Sequence, residues 1–374
     1  MILSVSCQLV KVTYPFIEEN IMIKKLITAL AALIITTSAA LAVDYSGKTV
    51  TLWIPFKAGG GSDAWARAIG PAFSKNLPGN PTVVVKNVTD GKAIGASNKY
   101  FAEHGKDKDG LVVFGTSGSV QLPFIFKDER VRYQYKNMKP VFASGTGGVV
   151  YVRKDMGVTD IIKDFDKLKG SKLVYGSQGK TSLDAVPILA FDMLDMDVNV
   201  VYGMKGRKAG RAAILRGETT IDYQTTASYL KHVKPLVEKG EMVAVMTWGA
   251  PVDGKVARDP NFPDLPSFPE VYEAVTGNKF SGTEAKSWTA LFYAGFATQK
   301  YVMLPKSAKR DVVKAWQDAA AAIVNDPDAM KVLNKKLGKY DQVTGSKSLK
   351  SSLKKATSVD SKSAKFLQEW KNTK

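Results

Sequence analysis

The amino-acid sequence predicts an α/β protein built on open, mostly parallel sheets flanked by helices and divided into two domains. Three observations carry that expectation. The β-branched and aromatic run Thr49-Val-Thr-Leu-Trp-Ile-Pro-Phe56 precedes the glycine-rich stretch Lys57-Ala-Gly-Gly-Gly-Ser-Asp63, after which Ala64 to Ile69 has helix-forming composition. Strand and helix patterns then alternate at the spacing of parallel β-α-β units. Finally, a glycine-broken extended stretch, Val141 to Arg153, is followed by a fresh series of strands and helices, and the chain length fits two domains at roughly 100–200 residues each.

In chain order, Thr49 to Phe56 reads as a buried strand, and Ser62 or Asp63 is placed to cap the helix that follows. Pro71 is expected to kink or split that helix. Pro78-Gly-Asn-Pro81 is a turn, Thr82 to Val88 a second strand, Ile94 to Glu103 a helix, and Leu111-Val-Val-Phe114 a third strand ending in Gly115-Thr-Ser-Gly-Ser119. Glycines inside Val141 to Arg153 mark the passage into a second domain. There follow a helix from Asp160 to Lys169, the strand Lys172-Leu-Val-Tyr175, the loop Gly176-Ser-Gln-Gly-Lys-Thr-Ser182 and another helix. Asn199 to Tyr202 is a strand, Gly203 to Gly210 a glycine- and lysine-rich loop leading into a helix through Leu215, and Thr220 to Tyr223 a strand. Met242 to Trp248 is the return strand. Pro251, Pro260, Pro263, Pro266 and Pro269 punctuate a long surface loop, and Thr289 to Leu304 contains further strand. Ser307 is placed to cap a helix whose inner face is Val312, Val313, Trp316, Ala320 and Ile323, Asp326-Pro-Asp opens another, and the lysine-rich segment after Thr344 forms a last helix.

The N-terminus predicts the compartment. Met22-Ile-Lys-Lys25 is basic, Leu26 to Thr37 is apolar but short for a bilayer, and Ala40-Leu-Ala42 is a small-residue cleavage site. Together they predict a secretory signal peptide cleaved after Ala42, with Met22 as the true start and residues 1–21 upstream of it; the alternative is a retained membrane anchor. Cys7 is the single cysteine, so the mature chain has none for a disulfide, a thiolate zinc site or a lipid anchor. The net charge of +18 admits nucleic acid, an anionic membrane or an anionic solute as partner. Export argues against nucleic acid, and the dispersed lysines, densest from Lys336 to Lys374, read mostly as a basic solvated surface.

A glycine run between a strand and a helix lets backbone N–H groups approach an anion at the positive end of the helix dipole. The alternative is a tight turn that binds nothing. Both Gly59–Asp63 and Gly115–Ser119 fall at carboxyl ends of predicted strands, where ligands of open α/β sheets sit, and this favours the anion site. Other motifs are incomplete. Gly59-x-Gly61-x-x-Ala64 fits a dinucleotide fingerprint, but Lys86 and Asn87 stand where an acidic residue is wanted. Gly179-Lys-Thr181 ends like a phosphate loop, with Val174 where the leading glycine belongs, and Ser119 replaces the second glycine of a nucleophile elbow. His104 and His232 are the only histidines, both in lysine-rich helix-like surroundings, and no metal-ligand spacing occurs. No catalytic residue, metal or cofactor is therefore expected.

The stretch Ile54-Pro-Phe-Lys-Ala-Gly-Gly-Gly-Ser-Asp-Ala-Trp-Ala-Arg67 resembles the PF-x-x-GG-x-x-D-x-x-x-R opening of the tripartite tricarboxylate transporter receptors, the extracytoplasmic solute-binding proteins also called Bug proteins. Val84-Val-Lys-Asn87, Asp107-Lys-Asp-Gly-Leu111, Tyr175-Gly-Ser-Gln-Gly179 and Pro263-Asp-Leu-Pro-Ser-Phe-Pro-Glu270 are similar to later motifs of that family, in order, over the whole mature chain. Val200-Val-Tyr-Gly-Met-Lys-Gly206, and Asp184-Ala185 where a histidine is common, depart from it.

The resemblance implies a two-lobed, periplasmic-binding-protein-like fold of type II kind, with residues 43–145 and 247–374 in lobe 1 and 146–246 in lobe 2. It implies a monomeric periplasmic receptor that captures a small organic carboxylate for the membrane permease subunits of a tripartite tricarboxylate-type transporter, or for a sensor protein. The implied contacts are Gly59, Gly60, Gly61, Ser62, Thr116, Ser117, Gly118 and Ser119 in lobe 1 and Ser177, Gln178, Gly179, Lys180, Thr181, Ser182 and Tyr202 in lobe 2. Lys57 and Lys180 flank the loops and are read either as pairing with a second carboxylate or as solvated. Asp63 is expected to cap its own helix. The alternative function is an exported nucleotide-binding enzyme that uses the Gly59–Asp63 loop for phosphate.

Overall fold

A computed structural model describes residues 43–373. The expected signal peptide, its cleavage site and Cys7 lie outside the described residues. Packing contacts divide the chain after Asp44, and everything below concerns the unit that begins at Tyr45.

The first strand–helix repeat forms as the pattern dictates. Strand β1 (Thr49–Ile54) leads through the glycine run into α1 (Gly61–Asn76), β2 (Thr82–Asn87) into α2 (Lys92–His104), and β3 (Val112–Gly115) into α3 (Gly118–Ile125). Of the two expected effects of Pro71, a split does not occur: α1 continues through it. It sits on the exposed side, where a carbonyl that loses its helical donor can be solvated. β4 (Met138–Ser144) and β5 (Gly148–Arg153) are the two halves of the stretch expected to cross between domains, and they belong to different sheets. The crossing needs glycine: a Cβ on Gly147 would collide with the Asp259 carboxylate and the Tyr340 hydroxyl, and one on Gly148 with the Trp248 ring.

The second series contains α4 (Phe165–Lys169), β6 (Leu173–Ser177), α5 (Ala185–Met193), β7 (Val198–Tyr202), α6 (Arg207–Leu215), β8 (Ile221–Thr225), α7 (Thr226–His232), α8 (Lys234–Glu238) and β9 (Met242–Thr247). The expected long loop instead holds the hairpin β10 (Ala250–Val252) and β11 (Lys255–Ala257), then α9 (Phe268–Thr276), opened by a Ser267–Glu270 capping box. Next come α10 (Gly282–Phe292), a π-helical turn Tyr293–Ala297, and β12 (Lys300–Pro305). The strand expected within Thr289 to Leu304 is β12, and the segment before it, from Thr289 to Ala297, is helical. The chain ends with α11 (Arg310–Asn325), α12 (Pro327–Leu337), β13 (Gln342–Val343), α13 (Ser346–Thr357) and α14 (Ser361–Thr373). Lys309 stands at the N-cap of α11, while Ser307 Oγ donates to the Asp107 carbonyl. Asp326 caps α12 as expected, accepting the Asp328 and Ala329 N–H groups at 2.9 and 3.2 Å. The tail holds two helices where one was expected.

The first sheet has the order β13-β4-β12-β3-β1-β2, with β1 parallel to β2 and β3 and the remaining pairs antiparallel. The second has the order β7-β6-β8-β5-β9, parallel where β6 meets β7 and β8. Trp53, Tyr100, Phe114, Tyr301 and Met303 build the core on one face of the first sheet. Tyr175, Tyr223, Trp248 and Trp288 belong to another core, which also takes in Leu122 and Phe126 from α3 and the turn after it. α3 thus packs its own residues among those of the second sheet.

Candidate functional site

The register Trp53↔Phe114 between β1 and β3 brings the carboxyl ends of these strands side by side, and with them the loops that open α1 and α3. α1 begins after Gly60, whose extended backbone (φ −85°, ψ 172°) gives no side-chain cap. The first N–H groups of a helix have no partner within it, so an uncapped N-terminus presents donors to whatever approaches. Gly59, Gly60 and Gly61 are exposed and Ser62 is buried. Gly59 adopts the left-handed region (φ +77°), which glycine enters without steric cost.

Neither Ser62 nor Asp63 is the N-cap, contrary to expectation; both lie inside the first turn. The Asp63 carboxylate reaches back to accept the Gly59 N–H at 2.8 Å and pairs with Arg67 Nε at 2.9 Å. Burial raises its pKa, but the hydrogen bonds from Gly59, Arg67 and Asn87 outweigh burial and hold it below the usual carboxylate value. The acidic residue of the motif therefore ties the loop to the helix.

In the second loop Thr116 and Gly118 are buried, and Ser119 is half-buried. Ser117 caps α3 through a long contact, Ser119 N to Ser117 Oγ at 3.4 Å. Thr116 N donates to the Tyr301 carbonyl at 3.0 Å, which fixes the loop to β12. A Cβ on Gly118 would come within 2.8 Å of the Gly295 Cα and O and 3.0 Å of Leu183 Cδ1. This glycine lets α3, the π-helical turn and the segment after the third loop meet.

The third loop is bonded mainly to itself. Ser177 Oγ accepts the Gly179 N–H at 3.1 Å, Ser182 Oγ donates to the Gly179 carbonyl at 2.6 Å, and Thr181 Oγ1 donates to Asp128 Oδ2 at 3.2 Å, beyond the end of α3. Lys180 is half-buried and Lys57 exposed. Tyr202 lies opposite Ser177 in the register of β6 and β7 and is exposed. The structure thus joins the first two loops through the sheet and the second to the third through Gly118, Leu183 and the Thr181–Asp128 bond.

Sequence reasoning missed the polar core under the third loop. Asp184 is fully buried, accepts the Gln178 N–H at 2.5 Å and the Tyr223 hydroxyl at 3.1 Å, and pairs with Arg207 at 3.3 Å. Arg207 also pairs with buried Asp222, donates to the Gly176 and Tyr223 carbonyls at 2.9 and 3.2 Å, and lies over the Tyr223 ring at 4.5 Å. Burial opposes its charge, yet the Asp184 carboxylate beside it raises its hold on the proton above the ordinary arginine value. The only signal was an arginine just after Gly206 in a stretch that read as loop.

His104 Nδ1 lies 2.8 Å from Asp107 Oδ2, with its ring against Trp53. Among the described residues no group of three His, Cys, Asp or Glu side chains is placed to hold a metal, and no helix is long and apolar enough to cross a membrane.

This arrangement of two mixed sheets with glycine-opened loops at strand ends is the fold of periplasmic solute-binding proteins. Solved structures that share it include a TctC solute-binding protein from Polaromonas, with TM-score 0.59 at 16% identity over 88% of this chain and 100% of its own. The periplasmic binding protein BugD aligns with TM-score 0.61 at 16% identity, over 88% of this chain and 97% of its own. A Rhodopseudomonas palustris protein, Rpa4515 with adipate, aligns with TM-score 0.61 at 17% identity, over 88% and 99%. MatC from the same organism, with bound malate, aligns with TM-score 0.58 at 16% identity, over 87% and 97%. No protein-family model and no curated protein matches the sequence.

Proposed function

We propose that this chain is an extracytoplasmic receptor of the tripartite tricarboxylate transporter type, which binds a small organic carboxylate and presents it to membrane permease subunits. The observation that carries the reading is the pair of helix N-termini, α1 and α3, opened at the carboxyl ends of adjacent parallel strands with the one acidic side chain of the first loop already held by Arg67. Malate and adipate bound in two proteins of the same fold support a small carboxylate as the ligand.

In this reading residues 43–145 and 247–374 form lobe 1 and residues 146–246 form lobe 2, moving about the Ser144–Gly148 crossing. Backbone N–H groups of Gly60 to Asp63, with those of Ser117 and Gly118 and the hydroxyls of Thr116 and Ser119, take one carboxylate, while Gly59 shapes the loop; Ser177 to Ser182 and Tyr202 close over the other end. Ligand contact with both lobes only in the closed form is what drives closure. The protein works in the periplasm without catalysis or cofactor. A Kd of 1 μM requires about 8 kcal/mol, and three or four hydrogen bonds to a charged group at roughly 1.5–3 kcal/mol each reach it before ordering costs. Calorimetry with acetate, malate, succinate, adipate and citrate tests this: heat from at least one supports it. Heat from a nucleotide with none from the carboxylates overturns it.

A further inference from the structure

One cation in the same region is unexplained by folding. Lys300 opens β12 and pairs in register with Ser144 on β4, and Val302, two residues on, pairs with Gly115 on β3. Directly paired residues project to the same face, so Lys300 emerges on the face where Trp65 Nε1 donates to Ser144 Oγ at 2.9 Å. That is the α1 side of the sheet, at the carboxyl ends of β1 and β3. Its neighbour Tyr301 points to the other face and accepts the Thr116 N–H through its carbonyl.

The Lys300 ammonium donates to Gln299 Oε1, and Gln299 Nε2 donates to the Gly295 carbonyl at 2.9 Å. Gly295 is the residue that abuts Gly118 at the start of α3. The ammonium is therefore tied, through the neutral Gln299 amide, to the turn that abuts the second loop. No carboxylate among the described residues pairs with it. The charged and titratable groups on surrounding elements are engaged or turned away: Asp63 is paired with Arg67 on α1, Tyr301 lies on the opposite face, Asp341 beside β13 is exposed, Tyr340 donates to Asp259, and Lys355 lies over the Tyr293 ring. α3 itself carries no titratable group.

We propose that Lys300 is the countercharge for the ligand carboxylate bound at the Thr116–Ser119 loop, a contact that rests on the receptor reading above and adds a side chain to a site otherwise built of main-chain donors. Two helix N-termini and an ammonium gathered at one sheet edge repel one another until an anion arrives. A carboxylate is the anion that suits a single ammonium and a few N–H groups.

Lys300 is half-buried, and the loss of water around its ammonium pushes its pKa down to about 7. An anion beside it raises that value again, so binding takes up a proton near neutral pH. Adipate and malate are titrated by calorimetry into the wild type and Lys300→Met at pH 7.5, in buffers of differing ionisation enthalpy, with inorganic phosphate as the competing probe. The expected result is uptake of about half a proton or more per ligand by the wild type, since a group near pKa 7 is then mostly neutral. Lys300→Met takes up none and binds at least tenfold more weakly. Wild-type uptake needs no variant, so it decides the matter even if the variant fails to fold. Carboxylate binding without proton uptake, or with unchanged affinity in Lys300→Met, overturns the role of Lys300 and leaves the receptor reading standing. Phosphate binding more tightly than either carboxylate overturns the ligand class. No heat from any carboxylate removes the receptor reading and this inference together.

Discussion

Gly60→Val separates folding from binding. At this N-cap φ is −85° and ψ is 172°, a conformation open to any residue, and an added Cβ meets only the Lys57 carbonyl, at 3.4 Å. Valine is a poorer N-cap than glycine, but with no strain the folding cost is about 1 kcal/mol or less. In a domain of this size that lowers Tm by about 2–4 °C. The isopropyl group, however, takes up space at the N-cap, where a carboxylate bound by the first N–H groups of α1 would lie. Excluding a carboxylate from two of them removes about 3–6 kcal/mol, since each charged hydrogen bond contributes roughly 1.5–3 kcal/mol. Affinity should fall by a factor on the order of 10² to 10⁴. Calorimetry with the best-binding carboxylate, beside a thermal melt, reads both quantities. A normal melt with unchanged affinity would show that the Gly59–Asp63 loop does not hold the ligand.

Other substitutions test the supports of the site. Arg207→Met leaves Asp184 and Asp222 buried without their cation and should cost about 3–5 kcal/mol in urea unfolding; a loss below about 1 kcal/mol contradicts the ion-pair account. Gly118→Ala forces α3 away from Gly295 and Leu183, an overpacking of about 1–3 kcal/mol, and should weaken carboxylate binding as well; a fully stable variant with native affinity contradicts the close approach. Asp259 bears on pH dependence. Burial raises its carboxyl pKa above the ordinary value, more than the hydrogen bonds from Tyr340 and Asn261 lower it. Its folded state thus holds a proton more tightly than the unfolded chain, so stability from this group is present below the unfolded pKa and is lost as pH rises through the folded one. Asp259→Asn should gain stability relative to the wild type between pH 4 and 7, approximately the range above the free aspartate pKa. A difference that stays constant with pH would refute the assignment.

Much of the frame was legible because it rests on local pattern. Thr49–Ile54, Thr82–Asn87 and Val112–Gly115 carry β-branched runs bounded by glycine or proline, and their parallel pairing follows from the helices between them. The passage between sheets was visible because only glycine fits at Gly147 and Gly148. Helices 226–232 and 234–238 were not, being short and carrying Pro235 at the start of the second. At the candidate site the three loops could be found from their glycines and serines, but not the groups those loops have already satisfied among themselves. That Asp63 turns back to Gly59, and that Ser177 and Ser182 bond within their own loop, depends on distances. Arg207 was invisible because a charged residue in sequence is expected at the surface, and only packing shows it enclosed; Lys300, half-buried, was invisible because strand register alone decides the face it takes.

The central claim is that main-chain N–H groups at two helix N-termini hold a carboxylate. Glycine-selective ¹⁵N labelling with a titration of malate or adipate observes those groups directly. The account predicts that the amides of Gly60, Gly61 and Gly118 shift downfield on saturation, while those of Gly254 in the β10–β11 turn and Gly277 after α9 stay in place. Binding detected by calorimetry with the Gly60, Gly61 and Gly118 amides unmoved would contradict it.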